Sequence, residues 1–343
     1  GTVRNEWHTW SMKTRSRLLC GGLSVGSTLI LSAAASGQPS YGYDFLTIGS
    51  PGNAPYQTDN PESLTNGRGS VAYEYRISRT EVTSQQWMEF INAYSGEYGD
   101  PYHFSLVSGG FMPDSGYTGP GSRWTLISPS LASAPVFGIS WRQAAMYMNW
   151  LHNDKQPTLA ALQTGAYDTS TFGDLPGGQF TDAATHLPGA KYWIPTLDEW
   201  IKAAHYDPNR YGEGQGGYWQ SVNSTDEPLV AGLPGVGQTS AGLEINDPLL
   251  GERDIPLGAY ADQMSPWGLL DLSGGASEWT EETYYPFFPN FGRGLEGQPA
   301  GLIFPFSQNT DLIDYLGIEG PSNHPRSSFR IATAVPLPGS FLV

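Results

Sequence analysis

Three short helical faces stand out in an otherwise irregular pattern of apolar and polar positions. Thr83-Ser-Gln-Gln86 places a Thr three residues before a Gln, so each side chain can satisfy the other's backbone amide. It opens a helix to about Tyr94 with Trp87, Phe90 and Ile91 on one face. The same device recurs at Ser140-Trp-Arg-Gln143, ahead of Ala144, Tyr147, Met148 and Leu151, which recur at three and four and predict a helix to about His152. A third, Thr196-Leu-Asp-Glu199, starts a helix over Leu197–Tyr206 that Asp207-Pro208 closes. Tyr43-Asp-Phe-Leu-Thr-Ile48, Tyr73-Glu-Tyr-Arg-Ile77 and Trp124-Thr-Leu-Ile127 read as strands. The stretches 96–134 and 153–189 read as loop-rich. Beyond residue 207 the pattern predicts almost no helix, only short strands and long ordered loops, which usually need holding by function or by ions.

The 343 residues suffice for one large domain or two ordinary ones, and neither a repeat nor an interdomain linker divides them, so one domain is expected. Gly (43) and Pro (27) are abundant, but so are Trp (11) and Tyr (19), which supply the buried area that a disordered chain lacks. The formal charge of −16 leaves no basic patch to neutralise phosphate, so no nucleic-acid partner is expected.

Met12 starts a second pattern near the beginning. Lys13, Arg15 and Arg17 precede an apolar run, Leu18 to Leu31, and Ser32-Ala-Ala-Ala-Ser-Gly37 offers small residues for cleavage. This is the layout of a secretory signal peptide over 12–37, with 1–11 as an upstream extension, and it points to a secreted, extracellular or cell-surface protein. The single cysteine, Cys20, lies inside that signal, so the mature chain is expected to have no disulfide, thiolate nucleophile or cysteine metal site.

The segment Trp267-Gly-Leu-Leu-Asp-Leu-Ser-Gly-Gly-Ala-Ser-Glu-Trp-Thr280 carries the candidate chemistry. Asp271 and Glu278 bracket a Gly274-Gly275-Ala276 turn that can aim carbonyls inward, and a hard cation such as calcium takes six to eight such oxygens. On spacing alone, a glycine turn with solvated carboxylates is the preferred reading.

The order of four segments changes that balance. They are Tyr75-Arg-Ile-Ser-Arg-Thr-Glu-Val-Thr83, Val136 to Asn153, Ala190-Lys-Tyr-Trp-Ile-Pro-Thr-Leu-Asp-Glu-Trp200 running to Ala204, and Trp267 to Thr280, with Phe329-Arg-Ile-Ala332 closing the set. Together they resemble the sulfatase-modifying factor, or formylglycine-generating enzyme, family over roughly residues 70–333. The resemblance implies an α+β, C-type-lectin-like fold with few helices, short strands and long loops fixed by calcium. Residues 38–69 would then form an N-terminal strand and loop segment. It further implies calcium held by the Asp271 side chain (Asn in relatives), the carbonyls of Gly274 and Ala276, and the Glu278 carboxylate. Gly275 and Ser277 depart from the family's usual Asn and Trp. A second family calcium site would fall between Asn223 and Asp254, where Asn246 and Asp254 are the weakest of the assignments.

The family's oxidation of a substrate cysteine does not carry over, because it uses paired cysteines that bind copper in the C-terminal third, and Arg293 to Arg330 contains none. Copper is therefore not expected. No nucleophile elbow or phosphate loop appears, the histidines show no metal-ligand spacing, and Asn223-Ser-Thr225 matches a glycosylation acceptor only by pattern. Ala334-Val-Pro-Leu-Pro-Gly339 resembles the start of a bacterial C-terminal sorting tail, so 334–343 reads as a remnant of one. Any membrane attachment would come through the missing remainder of that tail.

Three functions remain on these grounds. The preferred one is a non-catalytic, calcium-stabilised binding or structural module for an extracellular protein or glycan, with Tyr284-Tyr-Pro-Phe-Phe-Pro289 as a candidate surface. The second is a thiol-independent enzyme using Arg293, His324, Arg326 and Arg330. The third is a self-assembling surface subunit.

Overall fold

The computed structural model describes residues 38–60, 63–98, 110–243, 254–284, 292–301, 312–322 and 326–336. They lie within one compact unit, 37–337. The signal peptide, the tail beyond residue 336, His103, His324, Asn246 and most of the 284–289 aromatic run lie outside the described residues.

All three capping signals form helices. Helix α1 spans Ser84–Tyr98, and the Thr83 amide donates to Gln86 Oε1 at 2.9 Å while Gln86 N–H donates to Thr83 Oγ1 at 3.1 Å. Helix α2, Trp141–His152, carries the full reciprocal cap between Ser140 and Gln143. A short helix missed by the sequence reading, α3 (Leu159–Gln163), starts from Thr158, whose hydroxyl accepts the Ala161 N–H. Helix α4, Leu197–His205, repeats the reciprocal cap with Thr196 and Glu199.

Two four-stranded sheets organise the unit. The first runs β1 (Phe45–Ile48), β2 (Tyr75–Ser78), β12 (Ala332–Ala334), β5 (Tyr192–Trp193), antiparallel throughout, so the segment at 45–48 joins the same sheet as the chain's last described strand. The second runs β10 (Gly317–Glu319), β9 (Gly292–Glu296), β8 (Ser277–Tyr284), β11 (Ser327–Ser328), with β11 parallel to β8. Two-stranded ribbons, β3–β4 (Phe111–Pro113 with Trp124–Leu126) and β6–β7 (Tyr206–Asp207 with Gly217–Tyr218), complete it.

An aromatic core joins α1 and α2 to these sheets. Trp87 stacks on Tyr147 at 5.4 Å, Phe90 meets Tyr147 edge-on at 5.1 Å, and Phe329 meets Tyr147 at 5.4 Å. A second core gathers Ile48, Tyr75, Ile77, Trp200, Ile201, Leu269 and Leu272 around α4. The arrangement places β8 between the two, with Trp279 in the first core and Glu278 beside Trp200 of the second.

Candidate functional site

Strand β8 carries two buried carboxylates, with Glu278, Trp279, Thr280 and Glu281 buried in succession. A carboxylate cannot stay charged in such a place without partners. Glu278 finds them in Arg330, whose Nε donates to its two oxygens at 2.8 and 2.7 Å, and in Trp200, whose Nε1 donates to Oε2 at 2.8 Å. The same guanidinium donates to the carbonyls of Ser78 (3.4 Å), Arg79 and Leu270 (2.5 Å). It therefore ties β8 to the end of β2 and to the segment entering the 271–276 turn. Burial pushes the Glu278 carboxyl up and the Arg330 charge pulls it back.

The turn itself is tightly built. Gly274 (φ 86°) presses against Ser240, whose backbone N would lie 2.9 Å from an added Cβ, and Gly275 N–H donates to Ser240 Oγ at 2.9 Å. Asp271 takes the left-handed conformation at φ 56°, and its Oδ2 accepts the Gly258 N–H at 2.6 Å. Burial raises its carboxyl to about 6. Buried Glu81 lies against the same turn: Oε1 accepts Ala276 N–H at 3.2 Å, while Oε2 has no hydrogen-bond partner among the described residues. Burial and then the Glu278 charge push Glu81 well above the usual carboxylate range.

This geometry bears on the calcium ligands expected from sequence. Asp271 and the Gly274–Ala276 turn lie in one short segment, and Glu81 Oε2 would lie 3.2 Å from a Cβ added at Gly275. Glu278 is shared: both oxygens already meet Arg330, so an ion there would divide that carboxylate with a guanidinium. Among the described residues, no group of three or more His, Cys, Asp or Glu side chains converges on a single point. Asn223, at the edge of the second expected site, instead donates from its amide to Gln263 Oε1 at 2.9 Å.

The arginines suggested as catalytic groups have structural partners. Arg293 is buried, with its guanidinium 3.6 Å from the Trp141 ring centroid and hydrogen bonds to the carbonyls of Ala183, Ala184 and Glu281. Arg326 donates to the carbonyls of Ala300 and Gly301, and Arg330 is committed as above.

A pair that sequence reasoning missed lies farther along β8. Glu281 and His186 are 95 residues apart, and the Glu281 carboxylate accepts both the N–H and the Nδ1 side of His186, at 2.8 and 3.0 Å. Nothing local in the sequence signals it, since His186 sits in a segment without helix or strand.

Among the described residues, sheets of short strands, four α-helices and long fixed loops define a mixed α+β domain of the C-type-lectin-like kind. A family model described as the sulfatase-modifying factor enzyme 1-like domain matches residues 45–290, and the chain belongs to that family. The hercynine oxygenase of Mycolicibacterium smegmatis is 25% identical over 275 residues, covering 76% of this chain and 49% of its own, so the chain spans about half the length of that relative. Treponema denticola variable protein 1 superposes with a TM-score of 0.50 at 16% identity, covering 85% of this chain and 95% of its own. CarF gives 0.49 at 17%, covering 85% and 98%. At such identities the structural likeness concerns the fold.

Proposed function

We propose that this chain is a secreted or cell-surface, calcium-stabilised module of the family that binds a protein or glycan and does not perform the family's cysteine oxidation. The observation that carries the reading is how its arginines are used. Arg142, Arg293, Arg326 and Arg330 each fix an irregular segment, and two of the candidate catalytic arginines, Arg293 and Arg330, are buried in that task. With its one cysteine at position 20, the chain offers no pair of thiolates beyond it. Rigid scaffolds that hold long loops are suited to recognition. Calcium, in this reading, is held by Asp271 and the carbonyls of Gly274 and Ala276, with Glu278 shared with Arg330. The test is thermal unfolding of the purified chain in calcium and in excess chelator, with light scattering in parallel. A native-state ligand at a hundredfold excess over its dissociation constant stabilises by about 2.7 kcal/mol. A calcium-dependent rise lost in Asp271→Ala supports the reading. Turnover of a cysteine-containing peptide overturns the exclusion of cysteine oxidation, and calcium-dependent large particles would favour a self-assembling subunit.

A second reading, a thiol-independent enzyme, is favoured by the likeness to a protein named for oxygenating hercynine. Incubating the chain with hercynine and following its oxidation by mass spectrometry decides that case; no oxidised product removes it.

A further inference from the structure

The segment carrying His186 is held from three sides. Asp182, whose side chain is closed to solvent, accepts Arg142 Nε at 3.1 and 2.8 Å. The carbonyls of Ala183 and Ala184 accept from Arg293, and His186 N–H donates to Glu281 Oε1 at 2.8 Å. A segment of loop is thereby held by side-chain and backbone hydrogen bonds, and what it presents is an imidazole.

The ring's environment is asymmetric. Nδ1 faces Glu281, at 3.0 Å from Oε1 and 3.2 Å from Oε2, so a proton on the ring is held on that side. Behind it, Glu281 is buried and also accepts the Tyr167 hydroxyl at 2.5 Å. One ring face stacks on Trp193, 4.6 Å between centroids and 18° from parallel. The side chain is 24% exposed, and Nε2 has no hydrogen bond to the described residues. The charged and titratable groups facing the ring are Glu281 of β8, Tyr167 behind it, and Glu199 of α4, which accepts the Trp193 indole N–H at 3.0 Å and the Tyr73 hydroxyl at 3.0 Å. Burial lowers the imidazole and the Glu281 hydrogen bond and charge raise it further, for a net upward shift.

A salt bridge serving only stability needs no open nitrogen on its far side. A buried carboxylate that fixes Nδ1–H while Nε2 is left available is the arrangement that proton abstraction requires. We propose that His186 is a general base that takes a proton through Nε2 from a hydroxylic nucleophile, water included, with Glu281 as its positioning residue. This goes beyond the binding-module reading, which needs no such base. In the step, the hydroxylic oxygen attacks an acyl carbon as its proton passes to Nε2. The bond to the leaving oxygen breaks with its electron pair, and the imidazolium, held by Glu281, returns the proton to that oxygen or to solvent.

Two measurements on the full chain test this. In the first, diethyl pyrocarbonate modification is followed histidine by histidine by mass spectrometry between pH 5 and 8. His186 should react at least about tenfold faster than His205, which is buried. Glu281→Gln should move the midpoint of that reactivity to lower pH, because the charge that holds the proton on Nδ1 is gone. In the second, hydrolysis of p-nitrophenyl acetate should fall at least about tenfold in His186→Gln. If His186 resists the reagent in the unsubstituted chain, or if folded His186→Gln hydrolyses the ester unchanged, the proposal is wrong. The labelling result stands even where Glu281→Gln does not fold.

Discussion

Arg330 Nε lies 2.8 and 2.7 Å from the two oxygens of Glu278, and both side chains are sealed from solvent. The residues are 52 apart in sequence, yet this contact joins an interior strand of the second sheet to the segment that enters β12, an interior strand of the first. Taking two charges out of water costs several kcal/mol per ion, so removing one partner strands the other. Arg330→Met is therefore expected to lower the unfolding free energy by about 3–5 kcal/mol. Arg330→Met with Glu278→Leu should recover much of that loss, because no uncompensated charge remains. Urea denaturation of the two single variants and the double variant gives the coupling directly. Additive losses would mean that the pair is not a unit.

The turn at 274 makes a backbone prediction of a different kind. Gly274 has φ 86°, and an added Cβ would crowd the Oγ and backbone N of Ser240. Strain of this sort costs on the order of 1–3 kcal/mol, before any steric repair. Gly274→Ala should therefore lower the urea midpoint with an unchanged slope. Gly275→Ala, whose Cβ would meet Glu81 Oε2 at 3.2 Å, should cost less, because a side-chain oxygen can give way.

The local signals in the sequence translated well into structure, and the distant ones did not. Thr83, Ser140 and Thr196 announce their helices because a cap is settled within four residues. Helix α3, with five residues closed by Thr164, is too short to show a repeat. Strand β8 was unreadable as a buried strand because Ser-Glu-Trp-Thr-Glu-Glu-Thr-Tyr lacks apolar alternation. Its carboxylates are buried only because Arg330, His186 and Tyr167 arrive from far along the chain. The turn residues Asp271 to Ala276 could be marked from spacing and resemblance, but neither discloses that a guanidinium already holds Glu278, nor that Glu81 completes the acidic group.

If calcium is held as proposed, its affinity should depend on pH through Asp271. Its carboxyl rises from the ordinary 3.8 to about 6 because it is buried, so the folded chain without the ion binds the proton more tightly than the unfolded chain. That preference adds stability at low pH and is lost as pH rises through about 6. A cation needs the deprotonated form and competes with the proton. The calcium-induced rise in melting temperature is thus expected to be nearly full at pH 7.5 and to shrink progressively as pH falls through about 6. A rise that stays constant across this range would remove Asp271 from the ligand set.

His205 makes the opposite prediction for acid stability. It is buried, Nδ1 lies 3.1 Å from the Trp219 carbonyl, and burial brings the imidazole down from 6.5 to about 3. The folded state therefore holds it neutral while the unfolded chain protonates it below 6.5. Its contribution is complete above 6.5 and drains away as pH falls toward 3, at up to about 1.4 kcal/mol per pH unit. Glu81 and Glu296, raised by burial, push the other way over part of this range, so the total slope is a difference. Comparison with a variant isolates one term. His205→Gln keeps a side-chain donor for the Trp219 carbonyl and removes the titration. The chain should lose more stability than His205→Gln between pH 7 and pH 5, read from urea midpoints at each pH. If the two fall in parallel, His205 is not held neutral in the folded chain.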